Sequence, residues 1–181
     1  MTDPGSYLVV DTLKDGTAVT IRAIRRDDRG RLLEAFSNLE RESIYTRFFS
    51  FKKGLTDKDL DQFTDVDFHR VVALVVTTGT ADRETLIAGG RYISDEAQGP
   101  CRSAELAFTT EEDYQGRGIA SLLLAHLTRI AREQGVSQFE ADVLAGNRPM
   151  LNVFGHSGLP MRTQHEHGVV HVTLSLDAPA S

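Results

Sequence analysis

The chain has 181 residues, 40% of them hydrophobic, with a formal net charge of −6 and a pI near 5.5. That length holds one domain with a substantial core and falls short of what two full domains usually need. The acidic balance argues against a general binder of nucleic acid or of an anionic membrane surface, both of which call for a basic excess, and it favours cationic partners such as lysine side chains or polyamines. No run reaches the length of about eighteen apolar residues that a membrane span requires, and Met1-Thr2-Asp3-Pro4-Gly5 has neither the basic nor the apolar part of an export signal. The sequence therefore reads as cytoplasmic, with no membrane partner. Cys101 is the only cysteine, so an intrachain disulfide is impossible, and no flanking residue marks it as a nucleophile.

Residues 7–12 and 18–23 are β-rich runs joined through Lys14-Asp15-Gly16, a hairpin signal. The period then changes: Asp27 or Asp28 can cap a helix that carries Leu32, Leu33, Ala35 and Phe36 on one side. Residues 42–49 read as a short aromatic helix, and Thr56 caps another that runs through Leu60 and Phe63. Residues 71–76 form a continuous apolar run suited to a strand buried on both faces, and residues 85–93 pair back on it. A long helix over residues 118–134 carries a broad apolar stripe and stops at Gly135; His126 on its margin reads as a packing residue. A strand at 139–144, a short helix at 147–156 and a last strand at 169–176 complete the order, with loops around residues 40–69 and 160–168. His165, His167 and His171 would share one face if their segment were a strand, and solvent-facing histidines on a C-terminal hairpin explain them without a metal. The chain thus divides into a tail at 1–6, one domain at 7–176 and a tail at 177–181.

The stretch that carries chemistry is residues 104–121. It begins as the β-prone Ala104-Glu105-Leu106-Ala107-Phe108, passes through an acidic loop, and opens the long helix at Gln115-Gly116-Arg117-Gly118-Ile119-Ala120. Two glycines at a helix start let the backbone approach a ligand, and the unpaired first-turn N–H groups, with the helix dipole behind them, suit a phosphate or pyrophosphate. A P-loop reading fails because Ile119-Ala120 stands where Lys-Ser/Thr is needed. A dinucleotide fingerprint has the Gly116/Gly118 spacing, but Ser121 replaces the third small residue and residues 111–115 lengthen the turn.

The Gln-x-x-Gly-x-Ala pattern between a strand and a long amphipathic helix resembles the acetyl-CoA pyrophosphate loop of the GCN5-related N-acetyltransferases (GNAT). Asn147 through Phe154 to Gly158-Leu159 resembles the same family's segment after the strand that splays from its neighbour. Ser43-x-Tyr45-x-Arg47-Phe48-Phe49, behind the Lys14-Asp15-Gly16-Thr17 hairpin, looks like the acetyltransferase domain of bacterial protein lysine acetyltransferases. The resemblance covers about residues 8–176. It implies an α/β (α+β) fold whose mixed, mostly antiparallel sheet of about seven strands is flanked by helices, with central strands splayed at the cofactor site.

It also implies acetyl-CoA as cofactor, no metal, and a protein substrate presenting lysine. Backbone groups near Phe108, Thr109 and Thr110 would hold the acetyl and pantetheine arm. Gln115, Gly116, Arg117, Gly118, Ile119, Ala120 and Ser121 would hold the pyrophosphate, and Asn147 and Phe154 would line the cofactor. Tyr45 and Arg47 fall on the acceptor side.

A lysine amine is mostly ammonium at neutral pH, so acetyl transfer needs a proton acceptor. Glu105, the one acid in the strand before the loop, fills that part, and partial burial would raise its pKa toward the working range of a base. Where many relatives have a tyrosine to protonate the leaving thiolate, this chain has Phe154, which cannot donate a proton. A small-molecule amine acetyltransferase and a non-catalytic acyl-CoA-binding regulator remain the alternatives.

Overall fold

The computed structural model describes residues 3–37, 56–80, 83–95, 101–110, 116 and 118–177. The aromatic helix expected at 42–49, with Tyr45 and Arg47, lies outside these residues, as do Gln115 and Arg117 and the side chains of Phe36, Thr109 and Thr110.

Alternating residues build an N-terminal hairpin of β1 (Leu8–Thr12) and β2 (Ala18–Ala23). Helix α1 (Arg29–Ser37) follows, then α2 (Asp57–Thr64), whose start is fixed reciprocally: Asp59 N–H donates to Thr56 Oγ1 at 3.2 Å and Thr56 N–H to the Asp59 carboxylate at 3.0 Å. Strands β3 (Val71–Thr78), β4 (Thr85–Ser94) and β5 (Ser103–Thr110) form the middle of the sheet. Helix α3 (Ile119–Glu133) leads to β6 (Gln138–Leu144), then come α4 (Arg148–Gly155), β7 (Met161–Glu166) and β8 (Val169–Ser175). The eight strands lie in the order β1-β2-β3-β4-β5-β6-β8-β7, and every neighbouring pair is antiparallel except β5 and β6. No described helix is long and apolar enough to cross a membrane.

The sheet has eight strands where about seven were expected, and the addition is β7, placed in a segment that reads as loop. All six β7 residues are exposed, so neither face carries the apolar alternation that announces a strand. The turn at His167, φ +49°, also divides the histidines between two strands. His165 pairs with Val170 and His171 with Gln164, so the two point to opposite faces and the shared face is lost.

The main core lies between one sheet face and α3 and α4. Leu123, Leu127 and Ile130 of α3 are essentially fully buried against Val72, Leu74, Ile87, Tyr92 and Phe139. Gly90 is required here, since a Cβ would stand 2.7 Å from the Phe108 ring. His126 ties α3 to the hairpin, its Nδ1 lying 2.5 Å from the buried Tyr7 hydroxyl and its Nε2 3.4 Å from Asp11. On the opposite sheet face a smaller core of Ile24, Ala73, Val75 and Leu86 meets Leu32 and Ala35 of α1.

Asp28 is not a conventional helix cap. It is fully buried, accepts both terminal nitrogens of the equally buried Arg22 at 2.7 and 2.9 Å, and receives the Arg25 N–H at 2.7 Å. Arg22 also donates through Nε to Glu84 at 2.8 Å. Burial pushes the Asp28 carboxyl up, but its bonds to Arg22 and to the Arg25 backbone, with the charges of Arg22 and Arg31, hold it below the ordinary range. This network clamps β2, β4 and the start of α1 together.

Candidate functional site

The site forms where the sheet comes apart. Strands β5 and β6 pair only at Ser103↔Gln138, Ala104↔Phe139 and Glu105↔Glu140, yet β5 continues to Thr110 and β6 to Leu144. Beyond Glu105 the side of β5 that faces β6 has no strand partner among the described residues, leaving main-chain donors and acceptors at a gap in the middle of the sheet. On its other side the same segment is fully paired, with Phe108, Thr109 and Thr110 set against Gly90, Gly89 and Ala88 of β4. Phe108 is buried toward α3 with its ring 6.2 Å from that of Phe154, which is itself buried in the core.

The start of α3 supplies the second part. Gly116 and Gly118 hold φ values of +79° and +83°, a left-handed conformation costly for other residues, and among the described residues no side chain caps the helix. First-turn N–H groups have no partner within their own helix. Nothing stands within 4 Å of a Cβ built on Gly116, so the backbone is open to a ligand there. The helix dipole and the open backbone at Gly116 make this helix start fit a pyrophosphate. Ile119 is buried, Ala120 half-buried and Ser121 exposed. Asn147 caps α4, its Oδ1 accepting the Met150 N–H at 3.3 Å.

One basic group here has no sequence signal. The hairpin lays the stem of Lys14 across Gly118, with Cε 3.1 Å from where a Cβ would be, so its ammonium hangs beside the helix start. Only the tertiary approach of β1 and β2 to α3 brings it there.

Glu105 lies at the mouth of the gap, on the sheet face opposite α3. Partial burial was expected, and the structure instead exposes it. Strand alternation turns Ala104, Leu106 and Phe108 into the core and Glu105 outward. Its neighbours there are charged. Glu140 is its register partner on β6 and receives the Gln138 amide at 3.3 Å; further along, Asp142 meets His171 Nδ1 at 2.6 Å. On the β4 side, Arg91 pairs with Ala107 while Ile93 pairs with Glu105, which puts Arg91 diagonal to Glu105 on the same face. The half-buried Arg91 guanidinium stacks over the Phe63 ring of α2 at 5.0 Å. Burial pulls its pKa below the ordinary arginine value, and the Glu105 charge offsets part of that. Glu140 and Arg91 were not among the residues expected here, because a single sequence does not give strand register.

A sheet that opens beside a carboxylate, followed in the chain by a glycine-bearing helix start, has the parts that an extended, phosphate-tailed acyl carrier calls for. Residues 35–159 match the model of the Acetyltransferase (GNAT) family, and the chain belongs to that family. Acetyltransferase PA5475 of Pseudomonas aeruginosa is 32% identical over 144 residues, 80% of this chain and 76% of that protein. Acetyltransferase Pat of Mycolicibacterium smegmatis is 32% identical over 146 residues, 81% of this chain but only 42% of Pat, so the chain spans less than half of that relative. The crystal structure of the GNAT domain of S. lividans PAT superposes with a TM-score of 0.84 at 36% identity, covering 93% of this chain and 96% of that one. Members of the family use acetyl-CoA.

Proposed function

We propose that the protein is an N-acetyltransferase that moves an acetyl group from acetyl-CoA directly to the ε-amine of a lysine on a protein. The observation that carries this reading is the gap between β5 and β6, which begins at Glu105, together with the glycine-bearing start of α3 that follows β5 in the chain. In this reading residues 7–176 form the catalytic domain, 1–6 and 177–181 are tails, and the setting is cytoplasmic.

When bound, acetyl-CoA supplies the acetyl group activated as a thioester. The N–H groups of residues 115–120, with Ser121, hold the pyrophosphate, and Lys14 and Arg117 add positive charge. The unpaired edge of β5 at Phe108, Thr109 and Thr110 takes the pantetheine arm by strand-like hydrogen bonds, with Asn147 and Phe154 on the far wall of the gap. Glu105 takes a proton from the acceptor ammonium. An alkylammonium and a carboxylic acid differ by about 6 units in reference pKa, or about 8 kcal/mol, so this transfer needs the water excluded when acceptor and cofactor close over the site. Phe154 supplies no proton, so the departing thiolate is protonated from solvent or from the attacking nitrogen.

Lysine on a protein is supported by the resemblance of residues 43–49 to bacterial protein lysine acetyltransferases and by the likeness to the PAT domain. Tyr45 and Arg47 would then meet the acceptor. The acids Glu105, Glu140 and Asp142 along the same face favour a second reading, a small polyamine acceptor. Incubation with acetyl-CoA and a panel of lysine proteins, lysine peptides and small amines, following thiol release and acceptor mass, separates the two. Acetylated lysines in protein support the first reading, and turnover confined to small amines overturns it.

A further inference from the structure

Arg91 lies diagonal to Glu105 on the same face of the sheet. Among the described residues its guanidinium makes no hydrogen bond and no ion pair; Phe63 holds it by stacking, and Glu105 is the charge that acts on it. A guanidinium offers five donors in a fixed fork suited to a carboxylate. An exposed arginine would satisfy them with water. This one is half-buried and pinned against an aromatic ring, so a partner arriving from solvent meets donors that are already oriented.

The surrounding charges fix the chemistry of that partner. Glu105 has Arg91 on its β4 side and Glu140, then Asp142 with His171, on its β6 side. An acceptor's ammonium is drawn to the carboxylates at the mouth of the gap, while an anionic group next to it finds Arg91 on the opposite flank. We infer that Arg91 is a specificity-determining residue that receives a carboxylate of the acceptor, selecting lysines with an aspartate or glutamate beside them in the folded or extended substrate. This deepens the proposed protein-lysine reading and rests on it.

Peptides with one lysine and a single aspartate walked through the flanking positions, against the same peptides carrying asparagine, provide the test, with kcat/KM measured at moderate salt. Wild type should favour the best aspartate position over its asparagine match by about ten- to a hundredfold, mostly through KM, as a charge-assisted bidentate contact would give. Arg91→Met keeps the apolar stem on Phe63 and should bring that ratio to about one, with Arg91→Gln as a second variant should the first fold poorly. Arg91→Glu should invert the order in favour of a lysine or arginine neighbour, which a purely structural role for Arg91 would not do. Absence of any aspartate preference in wild type, or its survival in the variants, overturns the inference while leaving the acetyltransferase reading intact. Turnover of free small amines with no peptide acetylated overturns the protein-lysine reading and this inference together, and a preference for free lysine over every peptide assigns the carboxylate to a free amino acid instead.

Discussion

Asp28→Asn removes one charge from a fully buried cluster while barely changing its shape. The carboxylate accepts four hydrogen bonds, from Arg22 at 2.7 and 2.9 Å, the Arg25 N–H at 2.7 Å and Arg31 at 3.1 Å. An amide can accept through one atom only; its NH₂ would face guanidinium donors, leaving Arg22 with Glu84 as its remaining counter-charge. Breaking a buried pair by removing one partner costs about 3–5 kcal/mol, a large share of the roughly 5–15 kcal/mol that holds a domain folded. For a chain of this length, melting should fall by roughly 10 °C, and the urea midpoint should drop in proportion. Because Arg22 and Asp28 act as one unit, Arg22→Met with Asp28→Asn should cost clearly less than the sum of the two single changes. A loss below about 1 kcal/mol, the size expected of an exposed ion pair, would refute the clamp.

Two further predictions concern the helix start and acid. Gly118→Ala forces a Cβ into the left-handed region against the Lys14 stem, which can swing aside, and Gly135→Ala does the same at the far end of α3 with nothing within 4 Å. Both should lose about 1–2 kcal/mol of stability, but only Gly118→Ala should weaken acetyl-CoA binding, read by calorimetry; equal affinities would separate the glycine from the cofactor. Asp28, Glu84 and Asp67 are all held below their ordinary pKa: Asp28 and Glu84 by Arg22, against burial, and Asp67 by the backbone N–H groups of Val71, His69 and Arg70, also against burial. Their contribution is complete above the unfolded values near about pH 4 and is lost as pH falls through the depressed folded values, because the unfolded chain takes up protons first. Urea midpoints should therefore decline steeply below about pH 4, less so in Asp67→Asn; a decline beginning near pH 6 would point to histidines instead.

Much of this molecule is legible in its residues because the signals are local. The Lys14-Asp15-Gly16 turn, the Thr56 cap, the apolar run at Val71 and the stripe on α3 each state their element through short-range chemistry. What could not be read is what depends on register or on the far side of a surface. β7 lies at the sheet edge with both faces wet, so its Met-Arg-Thr-Gln-His-Glu run has no alternation to find. Arg22 looks like the solvent-facing residue of a half-buried strand, and only the arrival of Asp28 and Glu84 makes its burial tolerable. Glu105 could be assigned to the strand, but whether anything covers its face is a tertiary fact. Arg91 and Glu140 flank it only once β4, β5 and β6 are aligned.

The most direct test is Glu105→Gln, assayed for acetyl transfer to a lysine peptide across pH, beside calorimetric titration with acetyl-CoA. Cofactor affinity should stay within about threefold of wild type while kcat at neutral pH falls by roughly a hundred- to ten-thousandfold, the deficit closing as pH nears the amine pKa of about 10.4. Unaltered turnover with an unaltered pH profile would contradict the assignment of this carboxylate as the base.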